Sequence, residues 1–454
     1  MNKAKILLVA VLALALFASA DFETWRPRTV RGFAAPLPPV TAGAPFVPGQ
    51  VLVKFRPEVP LIHQLLSLKV YGSSPIRRLP GLDAYQVSVP QGYSVEEAVA
   101  AFGSNPNVEY AEPNYIVRAS ATPNDPLFNQ QWALSNPGGT LPLPGSPIGK
   151  LGADIKATAG WEETKGSDGI VIAILDTGVD LLHPDLKDKM YSNGRDFVND
   201  DLDASDDNGH GTVVAGVAGA ETNNSEGIAG VAWDCKILPV KVLDKDGVGT
   251  VDIVSDGIMW AADQSANGVK VINISWGLDV PSSVLRDAVE YAYDKGVVVV
   301  AAAGSTGAAE VQFPAAYENF VLAVAATDYS DTRYALSNSG AEIDVAAPGV
   351  DVMSTVPRGF YGPGSIDYGF WTGTSVAAPH VAGLAALIAG LKPFLTVDDI
   401  MNVIRFSAED VNSTLYPGKD EFIGYGRIDM EKALVPLSIT TGTTTPTAAR
   451  KVLR

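Results

Sequence analysis

The sequence contains one cysteine, Cys235, and only four histidines among its 454 residues. A single thiol cannot form an internal disulfide, so packing or bound ions must stabilise the folded chain. Free cysteines are usually small core residues, and we expect Cys235 to be one rather than a nucleophile. After the first twenty residues, no apolar run is long enough to suggest a membrane span.

Basic residues are scarce in the larger, C-terminal part of the chain. Residues 121–454 contain 22 Lys and Arg against 43 Asp and Glu, whereas residues 1–120 contain 11 against 8. Because phosphates are bound by Lys and Arg, the acidic part argues against a nucleic-acid partner. No strand leads into a G-x-G-x-x-G turn, so a nucleotide-binding protein is only a distant alternative. The two parts are electrostatically complementary, although acidity also favours the solubility of an exported protein.

The N-terminus has the layout of a cleaved secretory signal over residues 1–20. Lys3 and Lys5 precede an apolar run that ends at Ala18-Ser19-Ala20. We therefore predict a secreted, extracellular protein with no stable membrane anchor after the signal is removed. Residues 21–47 are rich in Pro and Ala and predict a linker, and residues 437–454 form a Thr-rich tail without a core-forming pattern.

Two folded units are predicted between the linker and the tail. Residues 48–119 alternate strand-like and helix-like segments and indicate a small α+β domain. Residues 120–436 contain the apolar runs IVIAIL, KILPVKV, KVINIS, VVVVAA, VLAVAA and IDVAA, separated by helical segments. Strands that are apolar on both faces are typical of a mostly parallel sheet covered by helices, so this domain is predicted to be α/β.

The stretch GTSVAAPHVAGLAALIAG, residues 373–390, places Thr374 and Ser375 at the start of an apolar helix. A hydroxyl there lies at the positive end of the helix dipole, among backbone N–H groups that can hold an oxyanion. We place Pro379 in the first turn, where its missing N–H removes no helical bond. Taken alone, the pattern is more typical of a Ser or Thr helix cap, so a nucleophile requires a base elsewhere.

The four histidines allow that base to be chosen by elimination. His63 lies in the small first domain, and His380 points about 140° away from Ser375 on the same helix. His183 precedes a proline in a polar loop. His210 lies between two glycines in NGHGTVVAGVAG, at the head of a second small-residue helix, and has room to act.

An acid that could orient His210 is Asp176, which ends the buried run IVIAILD. That position is the carboxyl edge of a sheet strand, where α/β folds place their sites. Asp176, His210 and Ser375 each have a structural explanation of their own. The three together are much harder to explain in that way.

AILDTGVD, NGHGTVVAG and GTSVAAPHVAGL together resemble the three catalytic signatures of the subtilases, in that family's chain order of Asp, His and Ser. The segments VPGQVLVKF and VEYAEPNYIV resemble the ends of its inhibitory propeptide, as in thermitase-like and fervidolysin-like secreted members. The resemblance implies a subtilisin-like α/β domain preceded by a ferredoxin-like α+β propeptide. It implies that Asp176 orients His210, that His210 is general base and acid, and that Ser375 attacks the scissile carbonyl.

The resemblance also implies a cleft in which a peptide binds as an added strand. NISWGL resembles the family's edge strand and DGVGT the facing strand. The residues implied to line the cleft are Ser275, Trp276, Gly277, Gly247, Gly249, Ala303, Gly304 and Gln312. Gln312 falls at the floor of the first specificity pocket, where many relatives have glycine, and Trp276 taken alone could equally be a core residue.

Calcium is a further implication of the resemblance. PNDP, HPDL and TNNSEGI resemble the family's strong calcium site, with ligands from Asp125, Asp185 and Asn224. DFVNDDLDASDDNGHGT resembles a second site of thermitase-like members, with ligands from Asp196, Asp201 and Asp203. Six aspartates in this stretch would repel one another, so the residues alone favour a cation over a solvated acidic loop. Carboxylate and amide oxygens are ligands that suit Ca²⁺.

The resemblance fails in VVVVAAAGSTGA, where relatives carry an Asn whose amide is the second oxyanion donor and this chain has Ser305. A hydroxyl can donate but is shorter, so we expect a self-processing zymogen with slowed turnover, or Thr306 as a substitute donor. The expected substrates are proteins and peptides, the propeptide is the intramolecular inhibitor, and Ser375 makes the first cut within residues 117–122. The alternative is a catalytically poor subtilase-fold protein that binds peptides.

Overall fold

Two units make up the chain, Met1–Arg118 and Ala119–Arg454. The computed structural model describes residues 46–79, 81–116, 122–192, 194–362 and 364–435. The predicted signal, the linker up to residue 45, the tail and residues 117–121 of the predicted cleavage region lie outside the described residues. The boundaries 48–119 and 120–436 remain predictions.

The first unit is an antiparallel sheet covered by two helices. Its elements are β1 (Phe46–Phe55), α1 (Leu61–Val70), β2 (Pro75–Leu79), β3 (Ala84–Ser88), α2 (Val95–Gly103) and β4 (Val108–Tyr115). The strand order is β2-β3-β1-β4, which is the ferredoxin-like arrangement expected from the sequence. β1 begins inside the predicted linker, and β2 was not predicted, because PIRRL is exposed and does not alternate.

Local signals explain why α2 forms where it does. The Ser94 hydroxyl accepts a bond from Glu97 N, and the Glu97 carboxylate accepts one from Ser94 N, which is a capping box. Val95, Val99 and Phe102 then lie on one face of the helix and are buried against the sheet.

The second unit contains a larger sheet between helices. Its main strands are β7 (Val171–Asp176), β8 (Arg195–Asp196), β9 (Lys236–Lys241), β10 (Val269–Ile274), β11 (Val298–Ala302), β12 (Val321–Thr327) and β13 (Val345–Pro348). The short strands are β5 (Gly139–Thr140), β6 (Ile148–Gly149), β14 (Val352–Thr355) and β15 (Tyr368–Trp371). The helices are α3 (Ala157–Glu163), α4 (His210–Gly219), α5 (Val251–Asp263), α6 (Ser283–Asp294), α7 (Thr374–Leu391), α8 (Val397–Ser407) and α9 (Met430–Leu434).

The order of the larger sheet positions the candidate site. The strands run β13-β12-β11-β10-β7-β9-β8, and every pairing in this sheet is parallel. β7 therefore lies where the strand order reverses, between β9 and β10. Such a reversal opens a crevice at the carboxyl ends of the strands, and Asp176 is the last residue of β7. The six apolar runs that predicted strands correspond to β7 and β9–β13 because both faces of these strands are buried.

Helix α7 is the central helix of one side of the sheet. It is the only described helix that is long and apolar enough to cross a membrane, and 83% of it is buried inside the protein, so it is a core helix. It begins at Thr374, so Pro379 lies in the second turn. The prediction that Pro379 lies in the first turn is therefore wrong. Pro379 therefore removes a helical bond that would otherwise run to the carbonyl of Ser375.

Candidate active site

Asp176 and His210 meet at the carboxyl edge of the sheet. His210 Nδ1 donates a hydrogen bond of 2.7 Å to Asp176 Oδ1. The same oxygen accepts a bond of 2.8 Å from Thr177 N, and the Asp176 side chain is fully buried. Because Nδ1 carries the proton in this arrangement, Nε2 of His210 is available as a base.

The environment of His210 favours its charged form. Burial lowers the pKa of His210, but the charge of Asp176, its hydrogen bond and the charge of Asp206 raise the pKa by more, and the net shift is upward from 6.5. The second oxygen of Asp176 is buried without a hydrogen-bond partner among the described residues. The carboxylate charge is thus directed to the imidazole.

The other histidines are engaged elsewhere. His183 Nε2 donates to the carbonyl of Asp367, and its Nδ1 accepts from Asp185 N. His380 is fully buried and bonds through Nδ1 to Val376 O within its own helix. His63 is exposed on α1 of the first unit. Within the second unit, the hydrogen bonds of His183 and His380 therefore go to groups other than Asp176 and Ser375.

Ser375 lies in the first turn of α7, beside Ser305. The helix is preceded by Gly373, whose φ of 153° is accessible chiefly to glycine. A Cβ at Gly373 would stand 3.2 Å from Ser375 Oγ and 3.3 Å from Ser305 Oγ. The two hydroxyls therefore lie around the same small space, which the glycine leaves open.

The carbonyl of Ser375 receives a replacement for the bond that Pro379 removes. The hydroxyl of Ser275 donates to Ser375 O at 2.7 Å and accepts from Asn273 Nδ2 at 2.9 Å. Ser275 directly follows β10, so this bond fixes the start of α7 to the sheet edge. The residue was predicted to line the cleft, and its side chain also positions the candidate nucleophile.

Ser305 is tied to the same helix start. Thr374 N donates to Ser305 Oγ at 2.9 Å, and the hydroxyls of Ser305 and Thr374 are 3.0 Å apart. Thr306, the predicted substitute donor, instead directs its hydroxyl at 2.9 Å to Asn338 Oδ1. The Thr306 hydroxyl is therefore engaged with Asn338, whereas the Ser305 hydroxyl contacts the start of α7.

Gln312 fills the space between two of the predicted cleft glycines. A Cβ at Gly277 or at Gly304 would stand 2.5 or 2.6 Å from Gln312 Oε1. Gln312 Nε2 donates at 2.6 Å to the exposed carboxylate of Asp279. The Gln312 side chain therefore lies close to both glycines and is held there by Asp279.

The other cleft residues have local structural roles. The indole of Trp276 donates at 2.8 Å to Leu175 O and packs against the core, so its side chain supports β7. Gly249 approaches Val242 O so closely that a Cβ would stand 2.5 Å from it, whereas a Cβ at Gly247 would meet only Asn208 Nδ2, at 3.8 Å. Ala303, next to Gly304, is buried.

Asp125, Asp185 and Asn224 come together although they are far apart in the sequence. Asp125 accepts from Asn224 N at 3.2 Å, and Asp185 accepts from Asn224 Nδ2 at 2.8 Å. Burial, with a contribution from the charge of Asp125, raises the pKa of Asp185 to about 7. Neither carboxylate forms an ion pair with a basic residue in the described part of the unit.

The predicted second acidic set is organised differently. Asp196 accepts bonds from Val198 N, Asn199 N and Asn199 Nδ2, and its backbone pairs with that of Asp201. Asp203 is exposed and accepts from Ser205. Backbone N–H groups thus donate to these carboxylates and offset much of the repulsion that favoured a cation. Within the described ranges, no three Asp, Glu, His or Cys residues form a metal-binding group.

Two polar residues that the sequence reading missed support the site. Asn338 is buried and accepts from Thr306 N, Thr306 Oγ1 and Ala308 N, so it holds the loop that begins at Ser305. No local pattern marks it. Asp206 accepts bonds at the head of α4, and the signal was its position four residues before His210, in a run that we had read only as acidic.

Two profiles of known protein families match the chain. The profile described as "Subtilase family" matches residues 167–426, and the profile described as "Fervidolysin N-terminal prodomain" matches residues 37–114. The latter match begins inside the predicted linker. Both units that the structure separates are therefore matched by a profile.

Full-length relatives are similar over most of both chains. A thermophilic serine proteinase from Bacillus sp. (strain AK1) is 41% identical over 86% of this chain and 88% of the relative. Thermitase from Thermoactinomyces vulgaris is 41% identical over 69% of this chain and 99% of its own. A solved protease structure from Pseudoalteromonas arctica PAMC 21717 has a TM-score of 0.60 and 34% identity, and covers 69% of this chain and 99% of that one.

Proposed function

The chain belongs to the subtilase family and is a subtilisin-like serine endopeptidase with an N-terminal prodomain, and we propose that Ser375, His210 and Asp176 carry its reaction. The observation that supports this assignment is the 2.7 Å bond from His210 Nδ1 to Asp176 Oδ1. It leaves Nε2 of His210 as the acceptor for the Ser375 proton.

The proposed reaction is acyl transfer in two steps. Ser375 Oγ bonds to the scissile carbonyl carbon while His210 takes the hydroxyl proton; the carbon–nitrogen bond then breaks, and His210 protonates the leaving amine. Water attacks the resulting ester by the same route and releases the acid. Asp176 stays ionised throughout and stabilises the imidazolium, in keeping with the raised pKa of His210.

The oxyanion is proposed to bind between Ser375 N and Ser305. Backbone N–H groups in the first turn of a helix have no helical acceptor, which leaves Ser375 N free to donate. Ser305 Oγ already accepts from Thr374 N, so only its proton can serve the oxyanion. This half of the site supports a peptidase whose acylation is slower than that of a relative with an amide donor.

The substrate is proposed to bind as an extended peptide along residues 275–277 and 247–249. Main-chain pairing would supply affinity, and side-chain pockets would supply preference. Gln312 narrows the pocket between Gly277 and Gly304 and presents a polar floor held by Asp279. The remaining proposed cleft residues are Trp276 and Ala303.

Calcium is proposed to bind Asp125, Asp185 and Asn224. The donor set fits a hard cation, because two carboxylates of low exposure have no basic partner among the described residues. Asn224 contacts Asp125 through its backbone N–H and Asp185 through its side-chain Nδ2, so the three residues share one place. A Cβ at Gly227 would overlap the Asp185 carboxylate and the Tyr368 hydroxyl, so both groups border the space that this glycine leaves open. When bound, the ion would supply structural stability only.

The second set, Asp196, Asp201 and Asp203, is retained as a weaker calcium proposal. Its acceptors are largely used by the backbone, and the repulsion argument for an ion is correspondingly reduced.

The calcium proposal is tested by heating the protein with calcium or with excess EDTA. Binding to the folded state alone adds about 2.7 kcal/mol at a ligand concentration of 100 Kd, so chelation should lower the melting temperature by several degrees. Asp125→Asn should melt at a lower temperature and lose most of the calcium response. An EDTA melting curve that overlies the calcium curve would remove these residues from the ligand set.

The protein is proposed to be secreted as a precursor that Ser375 cleaves within residues 117–122. The presence of a matched prodomain supports a zymogen. The position of the predicted signal before the prodomain and the peptidase domain supports export before activation. The prodomain is then the first inhibitor of the cleft, and proteins and peptides are the later substrates.

A serine reagent and one variant test the function together. Full-length protein incubated with casein and an irreversible serine reagent should digest casein, be labelled at Ser375 and lose activity as it is labelled. Ser375→Ala should be neither labelled nor active, and should remain an uncut precursor in a host without other proteases. Correct processing of Ser375→Ala would refute self-cleavage, and a wild type that neither digests casein nor is labelled would favour the peptide-binding alternative.

A further inference from the structure

Asp206 is surrounded by hydrogen-bond donors from two parts of the chain. Its Oδ1 accepts from Thr177 Oγ1 at 2.8 Å, Asn208 N at 3.0 Å and Gly209 N at 2.9 Å. Its Oδ2 accepts from Thr212 N at 2.9 Å and Thr212 Oγ1 at 2.6 Å. One carboxylate thus binds the residue after β7, the loop before α4 and the first turn of α4.

The Thr177 hydroxyl links the end of β7 to the segment that contains Asp206 and Gly211. It donates to Asp206 and accepts from Gly211 N at 2.9 Å, and Thr177 is fully buried. Thr177 directly follows Asp176, and Gly211 directly follows His210. The backbone of the proposed acid is therefore connected to the backbone of the proposed base through one hydroxyl and one carboxylate.

The charge of Asp206 also acts on His210. Burial lowers the pKa of His210, the charge and hydrogen bond of Asp176 raise it, and the charge of Asp206 adds to the rise. The neighbouring acid, Asp207, is paired with Lys241 at 2.6 Å, so its charge is largely compensated. Asp206 forms no ion pair among the described residues and lies at the positive end of α4.

If Asp206 only held the loop before α4 to the start of that helix, the bonds to Asn208, Gly209 and Thr212 would be sufficient. The bond to Thr177 is not required to cap α4, and it is this bond that reaches the strand of Asp176. Buried hydroxyls that are both donor and acceptor fix one geometry, because rotation of the hydroxyl breaks both bonds.

We propose that Asp206, acting through the Thr177 hydroxyl, is a positioning residue that sets the imidazole of His210 against Asp176 during peptide hydrolysis. It touches neither the substrate nor the reacting atoms. The inference rests on the proposed triad, because it assigns Asp206 a role only through His210.

Two variants separate geometry from charge. Thr177→Val keeps the shape and every charge but removes the hydroxyl, whereas Asp206→Asn removes the charge and leaves Thr212 N without its acceptor. Small misplacement of a reacting group costs up to about 10²-fold in rate, so kcat should fall about 10–10²-fold in each, with KM within about twofold. The double variant should lose less than the product of the two losses, because both remove one link.

The pH profile gives a readout that general destabilisation does not produce. In Asp206→Asn the acid limb of kcat/KM should move to lower pH, because a negative charge that raises the pKa of His210 is gone. In Thr177→Val the limb should stay in place while kcat falls. Asp154→Asn is the matched control: it removes a buried carboxylate that accepts from Asn136 N and Lys156 N, each at 2.8 Å, and should leave kcat and the limb unchanged.

All rates are measured on protein expressed as the full chain and are divided by the sites that an irreversible serine reagent titrates. Wild-type kcat and pH profile in both Thr177→Val and Asp206→Asn would overturn the proposal, as would an equal loss of kcat in Asp154→Asn. If Asp206→Asn does not fold, Thr177→Val alone decides. Failure of the triad itself is a separate result, seen as activity in Ser375→Ala or as a wild type that is not labelled at Ser375.

Discussion

The two halves of the site satisfy their polar atoms in different ways. Around His210, carboxylates accept bonds from backbone N–H groups and from the imidazole, and each oxygen can only accept. Around Ser375, the hydroxyls of Ser305 and Thr374 bond to each other, and either atom could be the donor. The base is therefore held in one arrangement, whereas the oxyanion side depends on where a hydroxyl proton points.

This difference has a consequence for the chemistry. A peptidase needs its base before any acyl transfer can begin, but its second oxyanion donor only lowers the barrier of a step that already occurs. The proposed site combines a complete base with a reduced oxyanion donor. Precursor cleavage, which need occur only once per molecule, tolerates such a site better than repeated turnover does.

The largest effect is expected from Asp176→Asn, which disrupts the base half of the site, that is, His210 and the carboxylate that it contacts. The amide would present an N–H to Nδ1 of His210 and favour the wrong tautomer, so kcat should fall by about 10⁴-fold. The measurement is the rate per titrated serine on a fluorogenic peptide. Asp154→Asn should retain wild-type kcat, and a loss below tenfold in Asp176→Asn would show that His210 does not depend on this carboxylate.

A smaller effect is expected on the oxyanion side from Gln312→Gly, which should open the first pocket. Gln312 also lines a cavity of about 720 Å³, and the other lining residues include Asp279, Glu310 and Glu342. Substrates with a large residue before the scissile bond should gain about 10–10²-fold in kcat/KM relative to alanine substrates, since pocket contacts discriminate by about 1–3 kcal/mol.

The acidic residues that line the cavity should favour a basic substrate residue in Gln312→Gly. Among large residues, Lys should gain more than Phe in Gln312→Gly, and a peptide library with every residue at that position measures both. Gln312→Glu is the size-matched control, because a side chain of the same length still fills the pocket and should admit no large residue. An unchanged profile in Gln312→Gly would mean that this side chain does not limit the pocket.

The base half was easier to predict from the sequence than the oxyanion half. Asp176 ends a strand that is apolar on both faces, and His210 begins a helix of small residues, so local pattern located both. The β14–β15 hairpin was not predicted, because its short strands have no long apolar run and pair only with each other. The bond from Ser275 to Ser375 could not be predicted either, because it joins residues 100 positions apart.

Contacts between distant residues also limited the other predictions from the sequence. A resemblance named Asp125, Asp185 and Asn224 as one set, and the folded chain does bring them together, but nothing in their local sequences predicts it. Pro379 was placed one turn too early because the start of a helix is the least certain part of a sequence pattern. Asp206 was counted as an acid and not as an acceptor, since backbone N–H donors are invisible in a sequence.

The raised pKa of His210 predicts a pH dependence that belongs to the base half. Burial lowers this pKa, and the charge and hydrogen bond of Asp176 and the charge of Asp206 raise it above 6.5. Only neutral His210 can accept the serine proton, so kcat/KM should fall about tenfold for each pH unit below that pKa. The check is a pH–rate profile on a neutral peptide, and an acid limb centred below 6.5 would contradict the sign.

The smallest effect is expected from strengthening the oxyanion half with Ser305→Asn. Ser305 Oγ accepts from Thr374 N and has a single proton that it could donate to the oxyanion. An Asn amide offers two N–H donors on a longer side chain. Removing one such donor from subtilisin, a member of the same family, costs about 10²–10³ in kcat. Ser305→Asn should therefore raise kcat by about tenfold or more with KM nearly unchanged, because the contact forms mainly in the transition state. Ser305→Ala is the control and should cost less than tenfold; if it costs about 10²-fold while Ser305→Asn changes nothing, the hydroxyl already does the work of the amide, and the oxyanion half is as complete as the base half.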